Sequence, residues 1–280
     1  MIPAFSSSIN CRGRLLDLSL PVVMGILNVT PDSFYDGGRL ATPDALLRQA
    51  DKMLSEGAAL LDIGGASSRP GAGEVPEAEE MSRVLPAIEL IVKNFPEVIL
   101  SADTWRASVA KAALAAGAGI VNDVSGGRWD ADMYPVIAEA GCPYILMHAL
   151  GTPATMQADP QYNDVVQDVL DFFVQEVGIL RALGVSDIIL DPGFGFGKTL
   201  AHNYALLKNL EVFSTATGLP VLAGLSRKSM ICKVLGVKPV HALNGTTALH
   251  MVALQQGARI LRAHDVKEAL EVVRLHEHLV

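Results

Sequence analysis

Cysteine, long apolar runs and net positive charge are all in short supply in this chain. Its three cysteines, Cys11, Cys142 and Cys232, are odd in number, far apart and without C-x-x-C spacing. That excludes a disulfide scaffold and a cysteine-type zinc site, and points to unpaired thiols in a reducing compartment. No apolar stretch approaches the roughly 20 residues that a membrane-spanning helix needs. Residues 1–17 lack the apolar core and cleavage pattern of a secretory signal. With 22 Lys and Arg against 30 Asp and Glu, the formal charge is −8, which speaks against a nucleic-acid or membrane partner. A few local Arg and His side chains still suffice to hold an anionic small molecule. No low-complexity tract, linker or charge run marks a domain boundary. The expectation is a soluble, cytoplasmic, single-domain protein.

What is present is apolar and finely punctuated. Half of the 280 residues are hydrophobic and 25 are glycine, as expected of an α/β protein with strands buried on both faces. Eight short apolar runs stand out, at residues 22–27, 60–63, 98–101, 119–122, 144–147, 187–190, 221–225 and 259–261. Helical patterns separate them. Thr42-Pro43 supplies an N-cap followed by proline at the first helical position, and Gly57, Gly117 and Gly184 close helices. Residues 245–256 add an extra helix between the seventh and eighth runs. Strict β-α alternation with right-handed crossovers, repeated eight times, predicts a single-domain (β/α)8 TIM barrel over residues 22–280. Residues 1–21 form an N-terminal extension, in which 11–20 is expected to make a small hairpin closing the barrel's bottom.

A barrel of this kind carries its active site at the C-terminal ends of the strands. The residues following the runs are Asn28, Ser67-Ser68-Arg69, Asp103, Asn122, His148, Asp191, Arg227-Lys228, Arg262 and His264. Arg69, Arg262 and His264 are expected to converge with Asn28, an oxygen donor suited to Mg²⁺, into a site for a di- or polyphosphate. Asp103, Asn122 and Asp191 offer acceptors to a flat ring edged with N–H groups. Two connections, 29–40 and 64–76, are longer than the usual strand-to-helix loop and have the Gly, Pro and Ser content of lids. The sequence G-F-G-F-G-K-T (193–199) resembles a phosphate loop, but Pro192 replaces the first required glycine. It reads instead as a loop shaping the pocket, with Phe194 and Phe196 as aromatic walls. His276 and His278 read as a solvated face of the last helix.

N-V-T-P-D-S-F-Y-D-G-G (28–38), D-I-G-G-A-S-S-R-P-G (62–71), L-D-P-G-F-G-F-G-K (190–198), S-R-K-S (226–229) and R-A-H-D (262–265) keep their order along the chain. Together they closely resemble the bacterial dihydropteroate synthase family. The resemblance implies a folate-pathway transferase joining 6-hydroxymethyl-dihydropterin pyrophosphate to p-aminobenzoate, with Mg²⁺ as cofactor. Carried over, Asn28 resembles the Mg²⁺ ligand. Asp103, Asn122, Asp191 and Lys228 resemble the pterin contacts, and Arg262 and His264, with Ser68 and Arg69, the pyrophosphate and loop contacts. Pro70, Phe194, Gly195 and Ser229 resemble the p-aminobenzoate surroundings. On mechanistic grounds Asp36 of the first lid is expected to support cationic charge on the pterin. The family is the target of sulfonamides and is usually a homodimer.

The expected reaction is a dissociative substitution, in which diphosphate leaves before the neutral arylamine attacks. The chain departs from the family pattern at Ala66, usually Glu, and at Ser68, usually Thr, so its sulfonamide susceptibility does not follow from the resemblance. Two other readings share the pterin pocket. A methyltetrahydrofolate-type methyltransferase needs no pyrophosphate clamp, which Arg69, Arg227-Lys228 and Arg262 argue for. A catalytically silent paralogue needs no intact set of charged strand ends.

Overall fold

A computed structural model describes residues 8–30, 42–66, 75–152, 155–156 and 160–279. The elements in chain order begin with β1 (Ser8–Cys11) and β2 (Arg14–Asp17). There follow β3 (Val22–Asn28), α1 (Pro43–Ser55), β4 (Leu60–Gly64), α2 (Glu77–Asn94), β5 (Leu100–Asp103), α3 (Ala107–Ala116) and β6 (Ile120–Asp123). Then come α4 (Met133–Ala140), β7 (Tyr144–Met147), α5 (Val165–Ala182), β8 (Ile188–Asp191), α6 (Leu200–Lys208), α7 (Glu211–Thr217) and β9 (Val221–Ala223). The chain ends with α8 (Ser229–Leu235), a 3₁₀ turn (Pro239–His241), α9 (Leu243–Gln255), β10 (Ala258–Ala263) and α10 (Val266–Glu277). Strands β3 to β10 close a parallel barrel in the order β10-β3-β4-β5-β6-β7-β8-β9. The eight apolar runs are its eight strands, and the (β/α)8 architecture is as the alternation requires.

Local chemistry sets the element ends. Thr42 caps α1 by accepting from the Ala45 N–H, with Pro43 beginning the helix. Asp164 caps α5 through the Val166 and Gln167 N–H groups. Thr199 and His202 form a reciprocal capping box on α6, which accounts for an otherwise solitary histidine. Strand β5 starts two residues later than the apolar run at Val98, whose carbonyl is taken by the Arg14 guanidinium. The shift brings Asp103 inside the strand.

Period-two alternation sorts each strand into two cores. Val23, Leu61, Ile63, Val121, Tyr144, Leu146, Leu190 and Leu261 face outward and pack under the helices. Met24, Leu60, Ile120, Ile145, Ile189, Leu222 and Ile260 face inward and fill the barrel floor. Against that floor sit Ile9, Cys11, Leu16 and Leu18. The first three come from the antiparallel hairpin β1-β2, which pairs Ser8 with Asp17 and Cys11 with Arg14. The hairpin starts three residues before the 11–20 segment.

Candidate active site

Above the apolar floor, alternation presents the next inward residues at the strands' C-terminal ends. Counting by two from Ile26, Leu60, Ser101, Ile120, Ile189 and Ile260 reaches Asn28, Asp62, Asp103, Asn122, Asp191 and Arg262. Strand pairing aligns Asn28 with Gly64, Gly64 with Asp103, and Asp103 with Asn122. A β-carbon at Gly64 would lie 3.5 Å from Asp103 Oδ2 and 3.6 Å from Asn28 Oδ1. Its absence leaves a notch between those two oxygens.

Arg262 ties this layer together. Its Nε donates to Asp62 Oδ2 (2.6 Å) and its Nη2 to Asp103 Oδ2 (2.7 Å). Asn122 Nδ2 donates to the same Asp62 oxygen at 3.0 Å. Burial pushes the Asp103 carboxyl up to about 7, and the negative charge of Asp62 adds to this while Arg262 opposes it. Such a group exchanges its proton near neutrality. The sequence reading assigned Arg262 to a cationic side apart from the acidic pocket. The structure corrects this, because two carboxylates hold the guanidinium between the two halves of the mouth.

Across the mouth, Lys228 donates to the Phe194 carbonyl (2.6 Å), and its ammonium stands 4.8 Å from the Phe196 ring centroid. Asp191 faces it across Gly224, where a β-carbon would lie 3.6 Å from both Asp191 Oδ2 and Lys228 Nζ. Burial lowers the Lys228 amine to about 8 against the opposing pull of Asp191, and burial raises the Asp191 carboxyl. The loop after Asp191 is pinned from below by buried Lys198, which donates to the His148 and Phe196 carbonyls at 3.1 and 3.0 Å. Its Nζ also lies 3.0 Å from His148 Nδ1. Gly193 is indispensable to this approach: a β-carbon there would lie 1.9 Å from the His148 carbonyl oxygen, and its φ is +68°. Beside β10, the Ser226 hydroxyl accepts from the His264 backbone N–H (3.2 Å) and lies 3.0 Å from His264 Nδ1.

A family model described as "Pterin binding enzyme" matches residues 24–264. The chain is 45% identical over 268 residues to the dihydropteroate synthase of Escherichia coli, covering 95% of this chain and 94% of that one. It is 44% identical over 261 residues to that of Bacillus subtilis, covering 92% and 88%. The chain belongs to the dihydropteroate synthase family. Among solved dihydropteroate synthases, the Yersinia pestis enzyme in a sulfonamide drug complex superposes with a TM-score of 0.92 at 45% identity, over 97% of this chain and 98% of that one. The Xanthomonas albilineans enzyme in complex with 7,8-dihydropteroate gives a TM-score of 0.86 at 40% identity, over 97% and 98%.

For a dihydropteroate synthase, the residues named from sequence divide into four groups. Asn28, Asp103, Asn122, Asp191, Lys228, Arg262 and His264 gather around the mouth, with Gly195 beside the lysine: a β-carbon there would lie 3.7 Å from Lys228 Cδ. Ser229 is exposed at the start of α8. Asp36, Ser68, Arg69 and Pro70 lie outside the described residues. Phe194 needs correction as an aromatic wall, since its side chain is wholly buried in the outer core and only its carbonyl reaches the site. Positive φ values at Gly193, Gly195 and Gly197 break alternation in the tight G-F-G-F-G turn, and Phe196 is the ring left at the mouth. Arg227 is also corrected, being engaged with both Asp265 oxygens at 2.8 Å and with the Pro239 and Val240 carbonyls. His276, too, is buried rather than solvated. Asp62 and Lys198 were missed. A charge at the inward position two after Leu60, within the apolar run L-L-D-I-G, was the available signal for Asp62.

Proposed function

We propose that this chain is a dihydropteroate synthase, joining 6-hydroxymethyl-7,8-dihydropterin diphosphate to p-aminobenzoate and releasing 7,8-dihydropteroate and pyrophosphate. The observation that carries the reading is the layer of Asp103, Asn122 and Asp191 acceptors interleaved with Arg262 and Lys228 at one end of the barrel. The acceptors suit the N–H edge of an aminopyrimidinone ring, Lys228 suits an acceptor on that ring, and Arg262 suits a diphosphate and its departing charge. In the reaction the methylene C–O bond breaks with its electrons going to diphosphate, the C–N bond forms, and the arylamine loses one proton. Arg262, His264 and, from the loop, Arg69 and Ser68 hold the leaving group. Asp103, Asn122, Asp191 and Lys228 hold the ring, while Asp36 supports positive charge on it. Pro70, Phe194 through its carbonyl, Gly195 and Ser229 surround the amine, which is neutral at pH 7 and needs positioning more than a base.

The donor set fits a Mg²⁺ ion. Asn28 offers one neutral oxygen beside the Gly64 notch, and Mg²⁺ bound largely by diphosphate oxygens and water needs only one or two protein ligands. Among the described residues no group of three His, Cys, Asp or Glu forms a self-sufficient metal cage. When bound, the ion would neutralise charge on the leaving diphosphate.

The chain is further proposed to act in the cytoplasm as a homodimer. Val234, Leu235 and Val240, exposed on α8 and the following turn, offer apolar area to a second copy. No described helix is long and apolar enough to cross a membrane. The deciding experiment supplies pterin diphosphate, p-aminobenzoate and Mg²⁺, and follows pyrophosphate and dihydropteroate together. Equal release of both is expected. Binding of methyltetrahydrofolate without pyrophosphate release would instead identify a methyltransferase.

A further inference from the structure

Asp62 is wholly buried on β4, one inward step above Leu60. Its Oδ2 accepts from both Asn122 Nδ2 and Arg262 Nε, while its Oδ1 is buried without a hydrogen-bond partner. A buried ion pair of this kind is poor evidence for a stabilising role, because an apolar residue of similar volume often serves stability as well or better. What the carboxylate uniquely supplies is direction. An ionised carboxylate only accepts hydrogen bonds, so the atom Asn122 turns toward it must be the amide nitrogen. The Asn122 carbonyl oxygen then points away from Asp62 and is left as an acceptor. Arg262 is in ion-pair contact with the same carboxylate and is itself kept in place by a second contact, to Asp103.

We propose that Asp62 is a positioning residue that acts through Asn122, setting which end of its carboxamide meets the pterin ring. The ring is thereby required to present a donor at that point. A substrate with an acceptor there would meet two opposed lone pairs, so Asp62 selects ring polarity without touching the ring. The inference rests on the proposed pterin pocket.

The test is a double-mutant cycle with D62L and N122A, measuring kcat and KM for each substrate, with folding checked by near-UV circular dichroism. D62L and N122A are each expected to raise KM for pterin diphosphate by about tenfold, the loss of one well-aligned hydrogen bond. KM for p-aminobenzoate should stay within about twofold. In the N122A background, D62L should add less than about twofold, because the residue through which it acts is already gone. Fully additive losses, or equal rises in both KM values, would overturn the proposal. An unchanged KM in N122A would instead remove the pterin-pocket assignment of Asn122, a distinguishable result. Should D62L fail to fold, D62N retains the shape but lets either end of the Asn122 amide face residue 62. A rise in pterin KM of at least about threefold is expected there, and an unchanged value refutes the proposal.

Discussion

Lys228 shows how one residue's environment sets its chemistry. Burial lowers its amine to about 8, while Asp191 works to keep it charged. Below that value the ammonium is available to the ring and to the Phe194 carbonyl; above it the charge is lost. The kcat/KM profile for pterin diphosphate should therefore fall on its basic side with an apparent pKa near 8. Lys228→Arg keeps its charge through this range and should move that limb up by more than about one pH unit, at some cost in rate from the altered geometry. A limb that stayed in place would show that another group titrates. The same residue-scale logic explains the error at Phe194. Nothing in G-F-G-F-G tells which phenylalanine faces in, because successive positive φ values at Gly193, Gly195 and Gly197 break ordinary alternation.

At the scale of elements, the barrel separates stability from chemistry. The β1-β2 hairpin and Leu18 seal the floor, while Asn28, Asp103, Asn122, Asp191 and Arg262 sit toward the opposite, C-terminal ends of their strands. Leu18 is fully buried, and truncating a buried leucine to alanine leaves a cavity costing about 2–5 kcal/mol. Leu18→Ala should lower the urea midpoint accordingly while leaving KM for both substrates unchanged. A change in KM at preserved folding would mean that floor packing reaches the site. Helix caps and strand positions at this scale were legible from Thr42-Pro43, from glycine stops and from eight apolar runs, because they depend on neighbours within a few residues.

For the whole molecule, buried titratable groups couple folding to pH. His250 is buried on α9 with neither ring nitrogen partnered, and burial lowers it to about 4. The unfolded chain takes up a proton near 6.5 that the folded chain refuses, so this group removes stability as pH falls from about 6.5 to 4. Burial and Lys198 depress His148 in the same direction, to about 2. Asp103, raised to about 7, acts oppositely: its folded form holds a proton that the unfolded chain has lost, so stability falls as pH rises from about 4 to 7. Replacing His250 by Leu isolates its share. In urea titrations between pH 4.5 and 6, the dependence of unfolding free energy on pH should differ from that of the parent chain by about 1.4 kcal/mol per unit. Equal slopes would show that the buried ring gains a partner on protonation. On its own, the sequence determined the barrel, the eight strand ends and most of the residue types gathered there, since periodicity and turn chemistry are local properties. Only the tertiary structure decided that Arg262 lies between Asp62 and Asp103, that Arg227 serves Asp265, and that Lys228 meets the ring of Phe196 but only the carbonyl of Phe194. Those pairings join residues far apart in the chain, and no local pattern encodes which charge will find which partner once the barrel closes.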